Sequence, residues 1–226
     1  MTFTRRILVQ WVLAGMVAAG TVFCGCAPEA SPPGAYTPNA YAVEQNSAAL
    51  DAMRAGDLET ALERANAAVG DDPDFREAWC NKANILGQLG RFDEAAAILE
   101  NVTRRWPEFA QALVFQGIYL ERLGRTNAAD ACYNRAADLF AAETENENAP
   151  PEIIMCLAVA EFLARGKVAG LRVINELLNT FPNYTAAHLV RRRIAEGDRD
   201  FFMRWTLETA QAGNTKREAE EAQRKE

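Results

Sequence analysis

The chain has 226 residues, of which 24 are lysine or arginine and 31 are aspartate or glutamate, so its formal net charge is −7. Without Arg5 and Arg6 the net charge of the remaining chain is −9. Binding to a phosphate backbone needs a basic stripe, and electrostatic docking onto anionic lipid needs a basic surface. The charge balance therefore argues against nucleic acid and against a membrane contact held by charge alone.

The first 25 residues have the layout of a bacterial export signal. A basic start, MTFTRR, precedes an apolar run from Ile7 to Phe23, and Cys24-Gly25-Cys26 follows. This end resembles a lipobox, in which a small residue, here Gly25, precedes the cysteine that is lipidated. Phe23 and Cys24 depart from that pattern, so an uncleaved anchor and ordinary signal-peptidase cleavage stay open as alternatives. We expect a signal in residues 1–25 and lipidation, with palmitate, at Cys26.

Residues 26–40 are rich in proline, which favours an extended polyproline II tether. Ala27 follows the lipid site. In the Gram-negative lipoproteins that the signal resembles, a residue other than aspartate at this place is compatible with outer-membrane sorting. We expect a membrane-anchored lipoprotein of the cell envelope that faces the periplasm, with the outer membrane favoured over the inner, or an exported protein.

A period of 34 residues runs through the middle of the chain. The residues that recur at this interval include Gly56, Gly90 and Gly124, and Ala61, Ala95 and Ala129. A fixed period of this length indicates stacked supersecondary units, each of which buries its apolar face against its neighbours.

The unit 76–109 shows how the repeat is built. Trp79, Ala83 and Leu86 recur at helical spacing and predict one face of a first helix. Gly90 is predicted to end that helix, because glycine enters the left-handed conformation without a steric penalty. Trp79 is predicted to be buried in the core.

A second helix follows in the same unit. Phe92 and Ala95 open it, with a small residue where two helices cross, Leu99 continues its buried stripe, and Pro107 closes the unit. On these residues the unit resembles the tetratricopeptide repeat family. The resemblance implies an all-α fold, a right-handed superhelical solenoid of antiparallel helix pairs.

The same pattern divides the rest of the chain. The predicted solenoid spans 41–212, with units at 42–75, 76–109, 110–143 and 151–184, a terminal helix pair at 185–212, and a charged tail at 213–226 that is predicted to fray. In the third unit Ala141 stands where a proline would close the repeat. In the fourth unit the turn glycine is displaced to Gly166, and Gly170 replaces the alanine at the helix crossing.

No motif in the chain indicates catalysis, a metal or a nucleotide. His188 occupies the place that Trp79 holds in its unit, so we predict a packed helix residue. Cys80, Cys132 and Cys156 are predicted to be small buried apolar residues, although one disulfide among them stays open. The sequence therefore predicts no enzyme, no cofactor and no small-molecule substrate.

The first helices of tetratricopeptide arrays line a concave face, and the resemblance assigns its positions here. The candidate protein-binding residues are Leu50, Met53, Asn84, Val114, Ile118, Met155, Val159 and Phe162. Most are more apolar than a solvated surface needs, and an exposed apolar patch marks an interaction site. As alternatives, the polar insertion ETENENAPP (residues 143–151) or the C-terminal segment folds over this groove, or the register slips in the fourth unit.

Two function classes follow from the resemblance. The first is a lipid-anchored scaffold that mediates protein–protein interaction in assembly of an envelope complex, and the second is a peptide-binding adaptor or accessory subunit of an envelope enzyme. Asn81 alone matches the carboxylate clamp of chaperone-binding tetratricopeptide domains, so that mode is not expected. The run Arg191–Arg193 is read as a solvated face balanced by Glu196, Asp198 and Asp200.

Overall fold

A computed structural model of the protein describes residues 36–145 and 149–197. Within these ranges the regular structure is entirely α-helical. The helices in chain order are α1 (Ala40–Ala55), α2 (Leu58–Asp71), α3 (Arg76–Gln88), α4 (Phe92–Arg105), α5 (Ala110–Arg122), α6 (Thr126–Thr144), α7 (Pro151–Arg165), α8 (Lys167–Thr180) and α9 (Thr185–Glu196). They form two compact units, the N-terminal unit of residues 36–90 and the C-terminal unit of residues 91–197. The predicted all-α fold of successive helix pairs is confirmed.

Several predictions fall outside the described residues. They concern the export signal, lipidation at Cys26, most of the Pro-rich tether, the second helix of the terminal pair and the charged tail. The last predicted tether residue, Ala40, is already the first residue of α1. Asn39 caps this helix, since its side-chain oxygen accepts a hydrogen bond from the Ala42 N–H at 2.8 Å.

Left-handed glycines follow α1, α3 and α5. Gly56, Gly90 and Gly124 have φ values of 81°, 76° and 75°, a region that is costly for residues with a Cβ. After α1 the Asp57 N–H donates to the Ala52 carbonyl at 3.0 Å, which satisfies a carbonyl that the helix end leaves open. The prediction that Gly90 lies at a helix end is confirmed.

A second kind of turn closes α2, α4 and α8. Each of these helices is followed by a capping residue and a proline, which are Asp72-Pro73, Trp106-Pro107 and Phe181-Pro182. The backbone N–H of an aromatic residue then donates to the backbone carbonyl of the capping residue, from Phe75 to Asp72 at 3.2 Å, from Phe109 to Trp106 at 3.0 Å and from Tyr184 to Phe181 at 3.1 Å. The same turn thus recurs at Pro182 in the predicted unit 151–184, whose bounds stay a prediction.

The missing proline of the third unit has a visible consequence. Because Ala141 replaces it, α6 continues to Thr144 and has 19 residues, against 14 in α4. The helix therefore includes Glu143 and Thr144, the first two residues of the predicted insertion.

In the N-terminal unit the core lies between the α1–α2 hairpin and α3. One cluster joins residues of all three helices, namely Ala49, Met53, Leu58, Ala61, Ala65 and Ile85. A second cluster at the other end contains Ala42, Ala68, Val69, Phe75 and Ala78. Trp79 packs against this second cluster and is only half-buried, which corrects the predicted core position. Its indole N–H donates to the Pro73 carbonyl at 3.0 Å, and this bond keeps one edge of the ring at the surface.

In the C-terminal unit consecutive helices pack closely. A methyl group added to Gly117 of α5 would lie 2.4 Å from the Tyr133 ring of α6. One added to Gly170 of α8 would lie 2.6 Å from the Phe162 Cβ of α7. The prediction that Gly170 serves as the small residue of a helix crossing is confirmed, because only a hydrogen fits there.

Candidate protein-binding surface

The structure buries six of the eight predicted groove residues. The exposed fractions are 7% for Met53, 0% for Val114, 7% for Ile118, 4% for Met155, 1% for Val159 and 4% for Phe162. Only Leu50 and Asn84 are half-buried, and both lie in the N-terminal unit. The expectation of an exposed apolar patch along these helices is therefore wrong, whereas a role of these residues in binding stays a prediction.

The burial has a physical reason that the repeat pattern alone did not reveal. Covering a large apolar side chain with a neighbouring helix or segment removes it from water, which stabilises the folded state. Met53 accordingly joins the core cluster of the N-terminal unit, and Leu50 packs against the edge of that cluster. Phe162 lies directly against the backbone of α8 at Gly170.

A more accessible surface of first helices exists in the N-terminal unit. We call it the α1–α3 surface, and its members are Val43, Asn46 and Leu50 of α1 with Glu77, Asn81 and Asn84 of α3. The spacing of three and four residues within each triplet places its side chains on one helix face. Val43 is 44% exposed, and Asn46, Leu50, Glu77 and Asn84 are half-buried, so a partner chain has access to both polar and apolar groups.

Two asparagines join the helices that carry this surface. The Asn81 Nδ2 donates to the Asn46 Oδ1 at 2.9 Å, from α3 to α1. Asn81 is only 2% exposed, and its own Oδ1 is buried without a hydrogen-bond partner among the described residues. A buried acceptor without a partner lowers the stability of the folded state by about 1–3 kcal/mol. An N–H donor that reached the Asn81 Oδ1 would remove this cost.

The sequence singles out Asn81 by its match to the carboxylate clamp, but it does not indicate the bond to Asn46. The signal was present, because Asn81 interrupts the core-facing stripe of α3 between Ala78 and Ile85, both of which are fully buried. A polar side chain at an interior position of an apolar stripe usually has a partner or a function. The pairing itself joins residues 35 apart, which no local pattern reveals.

The surroundings of the α1–α3 surface are acidic. Residues 36–90 contain nine acidic and four basic side chains, whereas the described residues of the C-terminal unit contain thirteen and twelve. Glu44, Asp51 and Asp74 are exposed in the N-terminal unit. The negative electrostatic potential of this unit therefore favours a partner segment that is neutral or basic.

Burial shifts the pKa of two side chains of the C-terminal unit, Cys132 and Tyr184. Burial raises the pKa of the Cys132 thiol, with Arg135 opposing the shift, so this thiol is protonated at neutral pH. Burial and the Glu152 carboxylate raise the pKa of Tyr184, whose hydroxyl donates to Glu152 Oε1 at 3.1 Å. The predicted burial of Cys80 and Cys156 is confirmed.

His188 corrects one expectation and supports another. The side chain is exposed rather than packed. Its Nε2 lies 2.7 Å from the Pro182 carbonyl, which matches the bond from Trp79 to Pro73. Since a carbonyl only accepts, Nε2 carries the proton in this contact. The predicted equivalence of His188 and Trp79 in the repeat is thus confirmed by geometry.

The described residues lack two features, a cluster of metal ligands and a membrane-spanning helix. No group of three or more histidine, cysteine, aspartate or glutamate side chains is placed to hold a metal ion in this part of the chain. Among the helices that the structure describes, none has the length and apolar character needed to cross a membrane.

Comparison with known proteins agrees with the repeated turns. Residues 46–86 and 80–144 match the family model of the tetratricopeptide repeat. A segment of 40 residues is 52% identical to an uncharacterised protein of Methanocaldococcus jannaschii, and the match spans 18% of this chain and 46% of that protein.

Solved structures with partial likeness include two bacterial proteins. One is a tetratricopeptide repeat protein from Parabacteroides merdae, with 19% identity, 79% of each chain covered and a TM-score of 0.40. Another is MamA from Desulfovibrio magneticus, with 17% identity, 83% of this chain and 99% of that chain covered, and a TM-score of 0.43. Proteins built of such repeats are typically non-enzymatic, and their fold implies a scaffold for protein–protein interaction. The family match and the recurring glycine and proline turns together support tetratricopeptide repeats in residues 46–144.

Proposed function

We propose that the protein is a lipid-anchored scaffold of the bacterial cell envelope that binds a peptide segment of an envelope partner on the α1–α3 surface. In this role it holds together the components of an envelope complex during assembly. The alternative is an adaptor or accessory subunit of an envelope enzyme, which would use the same surface for a single partner.

The observation that carries the binding proposal is the Asn81 side chain. Its buried Oδ1 lacks a donor among the described residues, and its Nδ2 already bonds to Asn46. Amide side chains both donate and accept, so an asparagine pair suits the alternating N–H and C=O groups of an extended backbone. Leu50 and Val43 beside it offer apolar area, and a buried side chain of the partner there contributes about 1.5–3 kcal/mol.

The anchoring part of the proposal rests on the sequence. The basic start, the apolar run and Gly25-Cys26 together favour lipidation at Cys26. We expect Cys26→Ser to abolish labelling with palmitate and to leave an unprocessed precursor. If this variant incorporates palmitate as the wild type does, the lipid site is wrong, while the proposal for the α1–α3 surface is untouched.

Site-specific photo-crosslinking tests the binding surface. A photoreactive residue replaces Leu50 in the full chain within intact envelopes, and the matched control carries it at Glu63, an exposed residue of α2 in the same unit. We expect discrete adducts from position 50 and none of them from position 63. The substitution Asn81→Leu, combined with the crosslinker at position 50, should remove these adducts.

The Asn81→Leu variant also separates binding from folding. Asn81→Leu removes the unpartnered Oδ1 together with the bond to Asn46, whose oxygen is half-buried and can be hydrated instead, so the melting temperature is expected to change little. Identical adducts from positions 50 and 63, or adducts that survive Asn81→Leu in a stably folded chain, would contradict the proposed surface.

A further inference from the structure

The last described helix, α9, has the packing of a repeat's first helix. It buries Ala186, Ala187, Val190 and Ile194 and contacts α7 and α8. The bond of His188 to Pro182 repeats the bond of Trp79 to Pro73 at the same spacing of six residues. Helix α9 therefore occupies the place that α3 occupies in its own repeat.

The exposed face of α9 differs from the corresponding face of the earlier first helices. Residue 192 corresponds to a position that is small in each of them, namely Ala49, Ala83, Gly117 and Ala158. This position lies where a first helix meets the second helix of its repeat, since a methyl group added to Gly170 would lie 2.8 Å from the Ala158 carbonyl oxygen. Arg192 therefore places a long, charged side chain at a position where the earlier first helices carry only a methyl group or a hydrogen.

The sequence that follows α9 is nearly neutral, because residues 198–226 carry seven acidic side chains, among them Asp198 and Asp200, and six basic ones. Arg204 follows Arg192 by 12 residues, the interval that separates Ala83 from Ala95, so two arginines stand where the repeat has two small residues. Residues 214–226 carry four basic and four acidic side chains and thus no net charge. Neither sequence feature supplies the surplus of carboxylates that an arginine-bearing face attracts.

The face itself is basic. His188, Arg191 and Arg192 are exposed at spacings of three and four residues along one side of α9. Arg191 and Arg192 form no ion pair with the residues that the structure describes, and the nearby exposed carboxylate of Glu196 does not neutralise them by direct contact. Guanidinium groups bind carboxylates by paired, charge-assisted hydrogen bonds, which makes two adjacent arginines selective for a carboxylate-rich segment.

We propose that the His188–Arg191–Arg192 face of α9 is a second docking surface, which binds an acidic segment of a partner protein rich in aspartate and glutamate. It lies in the C-terminal unit, so it does not depend on the proposed α1–α3 surface. A scaffold with two such surfaces distinguishes its partners by charge, because residues 36–90 are acidic and the α9 face is basic.

Fluorescence anisotropy with the full chain in a neutral detergent tests this surface. The probe is a labelled peptide of alternating glutamate pairs and alanine, and its counterpart carries lysine in place of glutamate. We expect the glutamate peptide to bind, the lysine peptide not to compete for the α9 face, and the affinity to fall as salt screens the contact. The double substitution Arg191→Ala/Arg192→Ala should weaken binding of the glutamate peptide on the order of tenfold or more.

A second pair of adjacent exposed arginines provides the matched control. Arg104 and Arg105 lie near the end of α4 in the same unit, and Arg104→Ala/Arg105→Ala should leave the affinity for the glutamate peptide unchanged. Circular dichroism establishes that both double variants keep the helical content of the wild type. Equal affinities for the two double variants would overturn the proposal. It would also fail if the wild type ignored the glutamate peptide but bound phosphatidylglycerol vesicles through Arg191 and Arg192, since the face would then recognise lipid phosphate.

Discussion

The two units differ in the burial of matching positions on their first helices. In the N-terminal unit, position 43 is exposed and positions 46, 50, 77 and 84 are half-buried. In the C-terminal unit, positions 114, 118, 155, 159 and 162 are buried. The two units follow the same repeat with the same turns, so the backbone does not explain the difference. Side-chain chemistry does. Asn46, Glu77 and Asn84 keep the α1–α3 surface partly hydrated, while the apolar side chains at positions 114, 118, 155, 159 and 162 are covered by neighbouring residues.

The difference teaches that a repeat position does not by itself identify a binding residue. A position on the first helix that is apolar in sequence serves the core in one unit, and a polar one marks the accessible surface in the other. The variants below test this contrast, beginning with the largest expected effect.

Truncation of Phe162 should have the largest effect on stability. The side chain is 4% exposed and lies against Gly170, so Phe162→Ala leaves a cavity and should lower the free energy of unfolding by about 3–5 kcal/mol. Chemical denaturation of the full chain measures the change. A loss below about 0.5 kcal/mol, as for a surface substitution, would show that Phe162 is an accessible groove residue after all.

Filling the crossing at Gly170 should have the next largest effect. The Cβ of Gly170→Ala would lie 2.6 Å from the Phe162 Cβ, and such overpacking costs about 1–3 kcal/mol. The matched control is Gly70→Ala in α2, where no atom lies within 4 Å of the added Cβ and alanine should stabilise the helix by up to about 1 kcal/mol. Opposite signs for the two variants are expected in thermal melts, and equal signs would contradict the assigned crossing.

Alkaline pH should destabilise the C-terminal unit through Tyr184. Its pKa is raised in the folded state by burial and by Glu152, so this stabilising contribution is fully present below the unfolded tyrosine pKa of about 10 and is lost as pH rises beyond it. Denaturation series on either side of pH 10 should show a steeper loss of stability for the wild type than for Tyr184→Phe. Parallel curves for the two proteins would contradict the assigned environment of the hydroxyl.

The smallest effect is expected for an ion pair on the surface of the N-terminal unit. Arg54 pairs with Asp51 across one turn of α1, and both side chains are substantially exposed. Such pairs contribute about 0–1 kcal/mol, so Arg54→Ala should barely change the midpoint of a urea titration. A loss comparable with that of Phe162→Ala would mean that this side of α1 carries a packing contact that the structure does not contain.

The sequence was sufficient for the fold wherever the signal is local. Gly56, Gly90 and Gly124 predict left-handed turns by themselves, and Pro107 or its replacement by Ala141 decides where a helix ends. Gly170 was assigned to a helix crossing by its place in the repeat, and the structure confirms that crossing.

The binding surface was less predictable because burial depends on residues that are distant in sequence. Nothing near Met53 reveals that Ile85 of α3 completes its cluster, and nothing near Asn81 reveals Asn46 as its partner. The resemblance supplied the positions of a groove, but exposure along those positions varies with the neighbours of each unit. Leu50 and Asn84 remained accessible because their surroundings are polar or lie at the edge of the core.

The central claim is that the apolar residues predicted to line a groove are accessible at Leu50 of the N-terminal unit but buried on α5 and α7 of the C-terminal unit. The most direct measurement is the rate of maleimide labelling of single cysteines introduced as Leu50→Cys and Ile118→Cys, in a full-length chain whose native cysteines are replaced by alanine. The account predicts labelling at position 50 on the order of tenfold or more faster than at position 118, where the thiol reacts only during local opening. Equal rates, or faster labelling at position 118, would contradict it.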